Sequence, residues 1–368
     1  MRETVLTVFS AVLGAIIGSF LNACIHRLPR NLSLDQPRRS FCPACGKTIP
    51  WYENLPIISW LALRGRCSGC HAKISPRYIF VEILTAGLFL AAWLTFGLPL
   101  APAYWLFLAL LVTATFIDIE HFIIPDVITI GGTAAGIVLS VILPGLMQTD
   151  SRLQAFLASL GAAALGYGIL WLIVEGGKLA FGRKRHVFKE ALPFSWKRDG
   201  DTATLTVGED SLLWHEIDFR ERDQLVIEST GASIDGRVLE GSPVLRFRYH
   251  VLLDEGTEKP LDQIDEISGN LTAITIPREA MGFGDVKFIA AIGAFLGWQA
   301  VLFTICAASI IGCVAAVAGI FLARDRSGSR VPFGPFLALG AVLWVFFGPA
   351  IWDWYFNLMA RPGHDLAF

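Results

Sequence analysis

Two aspartates, Asp118 and Asp285, stand at the ends of long apolar runs. Asp118 lies in Phe116-Ile-Asp-Ile-Glu-His-Phe-Ile-Ile-Pro-Asp126, and Asp285 lies in Met281-Gly-Phe-Gly-Asp-Val-Lys287. An ionisable side chain near membrane depth costs at least ~2.5 kcal/mol, so each is a candidate functional group. Two carboxylates brought together cannot both ionise easily and titrate as a coupled pair sharing one proton. The ionised member can act as general base on a water, while the protonated one donates to the carbonyl oxygen of an amide. That is peptide hydrolysis without a metal or a covalent intermediate. Gly282 and Gly284 would let a substrate backbone or a neighbouring helix approach Asp285 closely, and Lys287 completes the motif. The residues alone also allow a plainer role, in which Asp118, Glu120, Asp126 and Asp285 cap helix ends near water. A phosphate loop is disfavoured, because neither Walker lysine spacing nor a Rossmann strand accompanies the GxG.

A second constellation is made of sulfur. Cys42-Pro-Ala-Cys45 and Cys67-Ser-Gly-Cys70 are separated by residues 46–66 in a polar stretch. Two CxxC pairs at this separation fit a structural zinc site, in which four thiolates close a tetrahedron. A reducing cytoplasm disfavours disulfides, and a redox CxxC needs no second copy. Gly46 and Gly69 suit the tight knuckle turns, and His71 is superfluous to a complete four-sulfur shell. Cys24, Cys306 and Cys313 fall in apolar runs and read as small packing residues.

The elements that must hold these groups are membrane helices. Of 368 residues, 54% are apolar and 17% charged, where a soluble domain carries about 25% charged residues. Runs near the ~20 residues a span requires cover Val5–Ala23, Ile79–Phe96, Ala103–Ile117, Val127–Leu143, Leu153–Val174, Val286–Leu296, Ala300–Ala323 and Phe333–Trp352. The first is read as a retained anchor, since no A-x-A-like cleavage site follows it. Arg27, Arg30, Arg38, Arg39, Lys47, Arg64, Arg66, Lys73 and Arg77 lie between spans one and two. Lys178, Arg183, Lys184 and Arg185 follow span five, and Arg324, Arg326 and Arg330 follow span seven. The positive-inside rule makes all three clusters cytoplasmic in an eight-span topology. Both aspartates then reach the same cytoplasmic boundary.

The polar interval Lys178–Arg278 differs in character. Thr202–Val207, Gln224–Glu228 and Val244–Val251 read as short strands between Gly-containing turns. Acidic residues outnumber basic ones in it, which argues against a nucleic-acid platform. The expected fold is an all-α polytopic membrane protein of about eight transmembrane helices, with a cytoplasmic four-cysteine zinc module and an inserted β-rich soluble domain. Its divisions are 1–24 (first helix), 25–77 (zinc module), 78–177 (helices two to five with Asp118), 178–278 (inserted domain) and 279–368 (helices six to eight with the GxGD motif).

Gly18-Ser-Phe-Leu-Asn-Ala-Cys-Ile-His-Arg-Leu-Pro29, the paired CxxC motifs, Ile58-Ser-Trp-Leu-Ala-Leu-Arg-Gly-Arg-Cys67, Ile74-Ser-Pro-Arg-Tyr-Ile-Phe-Val-Glu82, Phe116–Asp126 and Gly282-Phe-Gly-Asp-Val-Lys287 together resemble the type IV prepilin peptidases, which are GxGD-type membrane aspartic peptidases. The resemblance covers nearly all of residues 5–177 and 279–350. It implies that Asp118 and Asp285 are the catalytic pair, cleaving the basic leader from type IV prepilins or type II secretion pseudopilins at the bacterial inner membrane. It also implies N-methylation of the new amine with S-adenosylmethionine, an activity associated with the cysteine-bearing type. Lys178–Arg278 departs from the family, whose members usually have a short loop there. Two other classes are a membrane assembly scaffold with inactive peptidase machinery and a transporter. Intact aspartates count against the first, and charges clustered at one face, with no inverted repeat, count against the second.

Overall fold

The long apolar runs all fold as helices. In this computed structural model, which describes residues 2–34, 41–42, 44–181, 183–200, 202–208, 210–214, 224–239, 241–248, 251–254, 257–277, 282–323 and 331–359, they are α1 (Arg2–Arg27), α3 (Arg77–Phe96), α4 (Ala101–His121), α5 (Asp126–Ile142), α6 (Arg152–Phe181), α7 (Phe283–Leu296), α8 (Trp298–Ala323) and α9 (Gly334–Met359). A short helix, α2 (Ile58–Ala62), lies within the cysteine-bearing stretch. Arg38, Arg39, Pro43, Arg278, Met281, Arg324, Arg326 and Arg330, singled out in the sequence, fall outside the described residues. Among those described, six helices are long and apolar enough to cross a membrane: α1, α3, α4, α6, α8 and α9. The apolar α5 has 17 residues and α7 has 14, or about 25 and 21 Å at 1.5 Å per residue. The chain divides into two compact units, Met1–Leu172 with Met281–Phe368, and Ile173–Ala280.

In the helical unit, small residues decide which helices touch. Gly14 and Gly18 form a GxxxG stripe on α1, and a Cβ on either would lie 2.8 Å from the α3 backbone, at Ala86 and Glu82. Gly132 and Gly136 form a second stripe on α5, where a Cβ at Gly136 would meet Ala294 of α7 at 2.9 Å. Gly293 of α7 faces the Ala162 carbonyl of α6, and the Ser159 hydroxyl donates to the Ala294 carbonyl at 2.8 Å. Close backbone approach of this kind is how helices associate where lipid supplies no hydrophobic force. The result is an α7 buried from Asp285 to Phe295 except at Lys287. Large apolar side chains such as Val127, Leu157, Ile310 and Val314 point outward. Cys24 is buried as expected of a packing residue, whereas Cys306 and Cys313 lie on the outward face of α8.

The second unit holds one nine-stranded antiparallel sheet: β1 (Arg183–Asp199), β2 (Thr202–Val207), β3 (Asp210–Leu213), β4 (Leu225–Ile234), β5 (Arg237–Val238), β6 (Val244–Arg248), β7 (Val251–Asp254), β8 (Thr257–Pro260) and β9 (Glu266–Pro277). The strand order is β3-β2-β1-β9-β4-β6-β7-β8, with β5 beside β4. The expected strand at Thr202–Val207 is β2, and the expected strand at Val244–Val251 is met by β6 from Val244 to Arg248, with Val251 opening β7. β4 extends well beyond Gln224–Glu228, because its alternation breaks at a bulge between Thr230 and Ser233, where Gly231 takes φ +65°. Trp196 of β1 packs edge-on against Trp214, which packs in turn against Phe247 of β6. The sheet therefore curls around one apolar core.

Candidate functional site

The turn that ends α4 and starts α5 builds one side of the site. Phe122 adopts φ +56°, and its N–H closes on the Asp118 carbonyl at 2.9 Å, terminating α4. Pro125 cannot continue a helix and disfavours a helical residue before it, so α5 begins afresh with Asp126 as its first residue. Ile124, held between the two helices, is buried.

Asp118 occupies the last turn of α4, where the helix dipole disfavours negative charge. It is nevertheless 6% exposed. Its Oδ2 accepts the N–H of Gly334, the first residue of α9, at 2.9 Å. The positive end of another helix thus faces this carboxylate. Gly334 has no space for a side chain, since a Cβ would sit 2.6 Å from Asp118 Oδ2. Asp285, 7% exposed, is the third residue of α7, whose N-cap is Gly282. Among the described residues no side-chain hydrogen bond caps α7.

Ile124 joins these groups. A Cβ on Gly334 would lie 3.0 Å from Ile124 Cδ1, and one on Gly284 would lie 3.3 Å from Ile124 Cβ. Ile124 therefore lies against both Gly334, which donates to Asp118, and Gly284, which precedes Asp285, and the two aspartates are close enough for their charges to act on each other. The expected close approach at the glycines is met at Gly284 by the α4–α5 connection. A Cβ on Gly282 would lie 3.5 Å from Asp285 Oδ2, an ordinary contact. Lys287 points the other way, donating to Asp126 Oδ1 at 2.6 Å with its Nζ 5.5 Å from the Phe283 ring. Glu120 pairs with Arg77 of α3. Of the four carboxylates in the two motifs, Asp126 and Glu120 are thus engaged by cations, whereas Asp118 and Asp285 are buried beside one another.

Gly334 and Ile124 were not singled out in the sequence. The available signal was Gly334-Pro335 at the head of a span, because Pro in the first turn marks a helix N-terminus.

The four cysteine sulfurs lie within 4.8 Å of one another and could hold a metal ion. Two matching knuckles present them. In the first, Cys42 N–H donates to the Lys47 carbonyl at 2.9 Å and Gly46 N–H to the Cys42 carbonyl at 2.8 Å. In the second, Cys67 N–H donates to the Ala72 carbonyl at 2.9 Å and His71 N–H to the Cys67 carbonyl at 3.0 Å. Gly46 and His71 are therefore equivalent and share the left-handed conformation, φ +71° and +57°. Gly69 lies inside the second turn as expected, although His71 carries its positive φ. It is small because a Cβ there would press on Lys47 Cδ at 2.9 Å. Backbone N–H groups of Cys70 and Gly69 hold the Cys67 thiol down to about 6, favouring the thiolate a metal needs. Cys42 and Cys70 sulfurs are 3.8 Å apart, well beyond a disulfide bond of about 2.05 Å.

Comparison with known proteins adds to this geometry. The model of the bacterial peptidase A24 N-terminal domain matches residues 12–96. That of the type IV leader peptidase family matches residues 105–186 and 267–317, passing over 187–266. A Myxococcus xanthus protein described as a prepilin leader peptidase/N-methyltransferase is 41% identical over 192 residues, 52% of this chain and 56% of that protein. Proteins of the same description from Aeromonas hydrophila and Pseudomonas aeruginosa are 28% and 27% identical, covering 92% and 90% of this chain and 90% and 88% of theirs. No solved structure matches the chain.

Proposed function

Because the chain belongs to the type IV leader peptidase family, we propose that it is a multi-pass membrane enzyme that removes the leader from prepilins or pseudopilins and then N-methylates the new terminus. The observation that carries the reading is the pair of buried aspartates from α4 and α7, close enough for their charges to act on each other. The family's relatives carry prepilin leader peptidase/N-methyltransferase as their description.

In the proposed chemistry Asp118 and Asp285 share one proton. One takes a proton from the attacking water and the other donates to the scissile carbonyl oxygen. The Gly334 N–H holds Asp118 in place, and Gly284 lets the α4–α5 turn pack against the start of α7. Lys287 ties α7 to the first residue of α5 through Asp126, an ion pair that supports the pair's geometry without touching substrate. We propose eight spans, with α5 and α7 adding to the six longer helices, in the bacterial cytoplasmic membrane. The basic segments and the aspartates then face the cytoplasm.

The four sulfurs suit zinc as a structural ion. Zn–S bonds of about 2.3 Å in a tetrahedron give S–S edges of about 3.8 Å, and Cys42 and Cys70 stand 3.8 Å apart. No open coordination position remains, so this metal would order the knuckles and take no part in hydrolysis. S-adenosylmethionine is the proposed methyl donor.

The test is to incubate purified protein with a candidate prepilin and read the product mass. Loss of the leader plus one methyl group is expected. Asp118→Asn and Asp285→Asn should each abolish cleavage, and the double variant should be no worse, because the pair acts as a unit. Near-normal cleavage by a folded Asp285→Asn protein would remove the assignment.

A further inference from the structure

A cavity of about 410 Å³ opens between α1, the start of α3 and the cysteine-bearing segment, a size typical of small-molecule sites. Asn22 of α1 lines it and is 2% exposed. Its Nδ2 donates to the Gly18 and Tyr78 carbonyls at 3.3 and 3.0 Å, but its Oδ1 has no partner among the described residues. The indole Nε1 of Trp60, also on the cavity wall, is buried and unpartnered. An unmet buried donor or acceptor costs about 1–3 kcal/mol. Two residues of the same cavity wall thus each carry a buried polar atom with no partner among the described residues.

The third polar group is Glu82 of α3, 7% exposed. Its Oε2 accepts the Ile57 N–H at 2.6 Å. Ile57 lies at φ +64°, ψ −52°, in a tight turn closed by the Ile58 N–H on the Pro56 carbonyl at 2.6 Å. A β-branched residue is strained there by about 1–3 kcal/mol, and strain of this kind clusters at functional sites. The Trp60 ring is backed by Gly65, where a Cβ would lie 2.8 Å from Cζ2. The carboxylate and the indole are therefore both held in place at the wall.

We propose that this cavity is the binding site of the methyl donor S-adenosylmethionine, an assignment that rests on the N-methyltransferase reading above. The donor combines a sulfonium cation with an adenine ring and an amino-acid end. Glu82 offers the cation an opposite charge, as a buried charge requires, and Trp60 and Tyr78 offer aromatic faces to the ring and the cation. Asn22 Oδ1 accepts from a donor group of the ligand, and Trp60 Nε1 donates to one of its acceptors.

The location also suits the order of the two reactions. His26 lines the cavity, and the charges of Arg77 and Glu120 act on it. Glu120 pairs with Arg77 and lies two residues beyond Asp118 on α4. The cavity wall at His26 is thus within electrostatic reach of the Arg77–Glu120 pair at the end of α4, the helix end that carries Asp118. In the transfer, the neutral amine's lone pair forms the new N–C bond. The C–S electron pair stays on sulfur to leave a neutral thioether, and the surplus amine proton passes to water.

The experiment uses full-length protein in nanodiscs and S-adenosylmethionine labelled in its methyl group. Equilibrium dialysis should show binding that Glu82→Gln and Asn22→Leu each weaken at least tenfold, with bound metal and melting temperature reporting on folding. In the wild type, ultraviolet cross-linking of the labelled donor should mark a peptide within residues 19–82. Wild-type affinity in both folded variants, or label confined to peptides outside that stretch, would overturn the cavity assignment. If wild-type protein cleaves prepilin yet binds no donor and adds no methyl, the methyltransferase reading fails and the cavity proposal with it.

Discussion

In the helical unit, Gly14 and Gly18 bring α1 onto α3, Gly136 brings α5 onto α7, and Gly293 accepts the Ala162 carbonyl of α6. The residues turned outward there are large and apolar, including Val127, Ile310 and Val314. The inserted sheet reverses both choices. Trp196, Trp214, Phe247, Leu225 and Ile267 fill its core, and Lys197, Arg246 and Glu266 lie on its surface. The difference follows from the solvent. In lipid no hydrophobic force draws helices together, so shape and backbone contact select the partners. In water about 25 cal/mol per Å² of buried apolar surface assembles a sheet around its largest side chains. The same substitution should therefore have opposite consequences in the two units.

Overpacking should break the helical unit most severely. A Cβ at Gly293 would lie 2.6 Å from the Ala162 carbonyl oxygen, whereas nothing lies within 4 Å of one at Gly131. Gly293→Leu should yield aggregated or proteolysed protein, and Gly131→Leu, on the open face of α5, should purify normally in detergent. Equal yields of the two would mean that these helices do not meet as described.

Truncation should act on the sheet instead. Trp196 is 1% exposed, and Trp196→Ala should cost about 3–5 kcal/mol, read by chemical denaturation of residues 173–280 expressed alone. Failure of that fragment to unfold cooperatively would deny the insert its own core.

Metal removal tests the cysteine segment, whose fold is too small for a substantial core. Cys42→Ser/Cys45→Ser should lose the bound ion, measured by elemental analysis, and lower the melting temperature. Leader cleavage should persist in part, since none of these sulfurs belongs to the aspartate pair. Full metal occupancy in the double variant would place the ligands elsewhere.

The smallest effect is expected at the Lys287–Asp126 pair, where the side chains are 27% and 60% exposed. Lys287→Met should change stability by under about 1 kcal/mol. Its influence should appear in the rate of cleavage more than in folding. A large drop in melting temperature would give the pair a structural role that exposed ion pairs rarely have.

How much of this was legible in advance differs between the units for the same physical reason. Membrane helices announce themselves by length and hydropathy, so all eight apolar runs became helices with ends shifted by a few residues. The strands were less visible. β1 spans 17 residues and contains Pro193, Lys189 and Glu190, and β9 carries Gly269 and Asn270. Neither reads as an uninterrupted strand. Both contain register shifts that disturb alternation, and their pairing, Arg183 opposite Pro277, joins positions far apart in the chain. That pairing also brings the two ends of the inserted sheet together.

The sequence by itself determined the chemistry on offer: two aspartates at the ends of apolar runs, four cysteines at knuckle spacing, and glycines beside them. These are properties of residue type and local spacing, and they need no partner to be read. Only the tertiary structure decided which carboxylates meet a cation among the described residues. Asp118, Glu120, Asp126 and Asp285 look alike in the chain. Folding sets Arg77 on Glu120 and Lys287 on Asp126, and leaves Asp118 and Asp285 buried within reach of each other's charge, with the Gly334 N–H on one of them. A charge's partner is fixed by distance through space, and that distance is set by helices packing across most of the length of the chain.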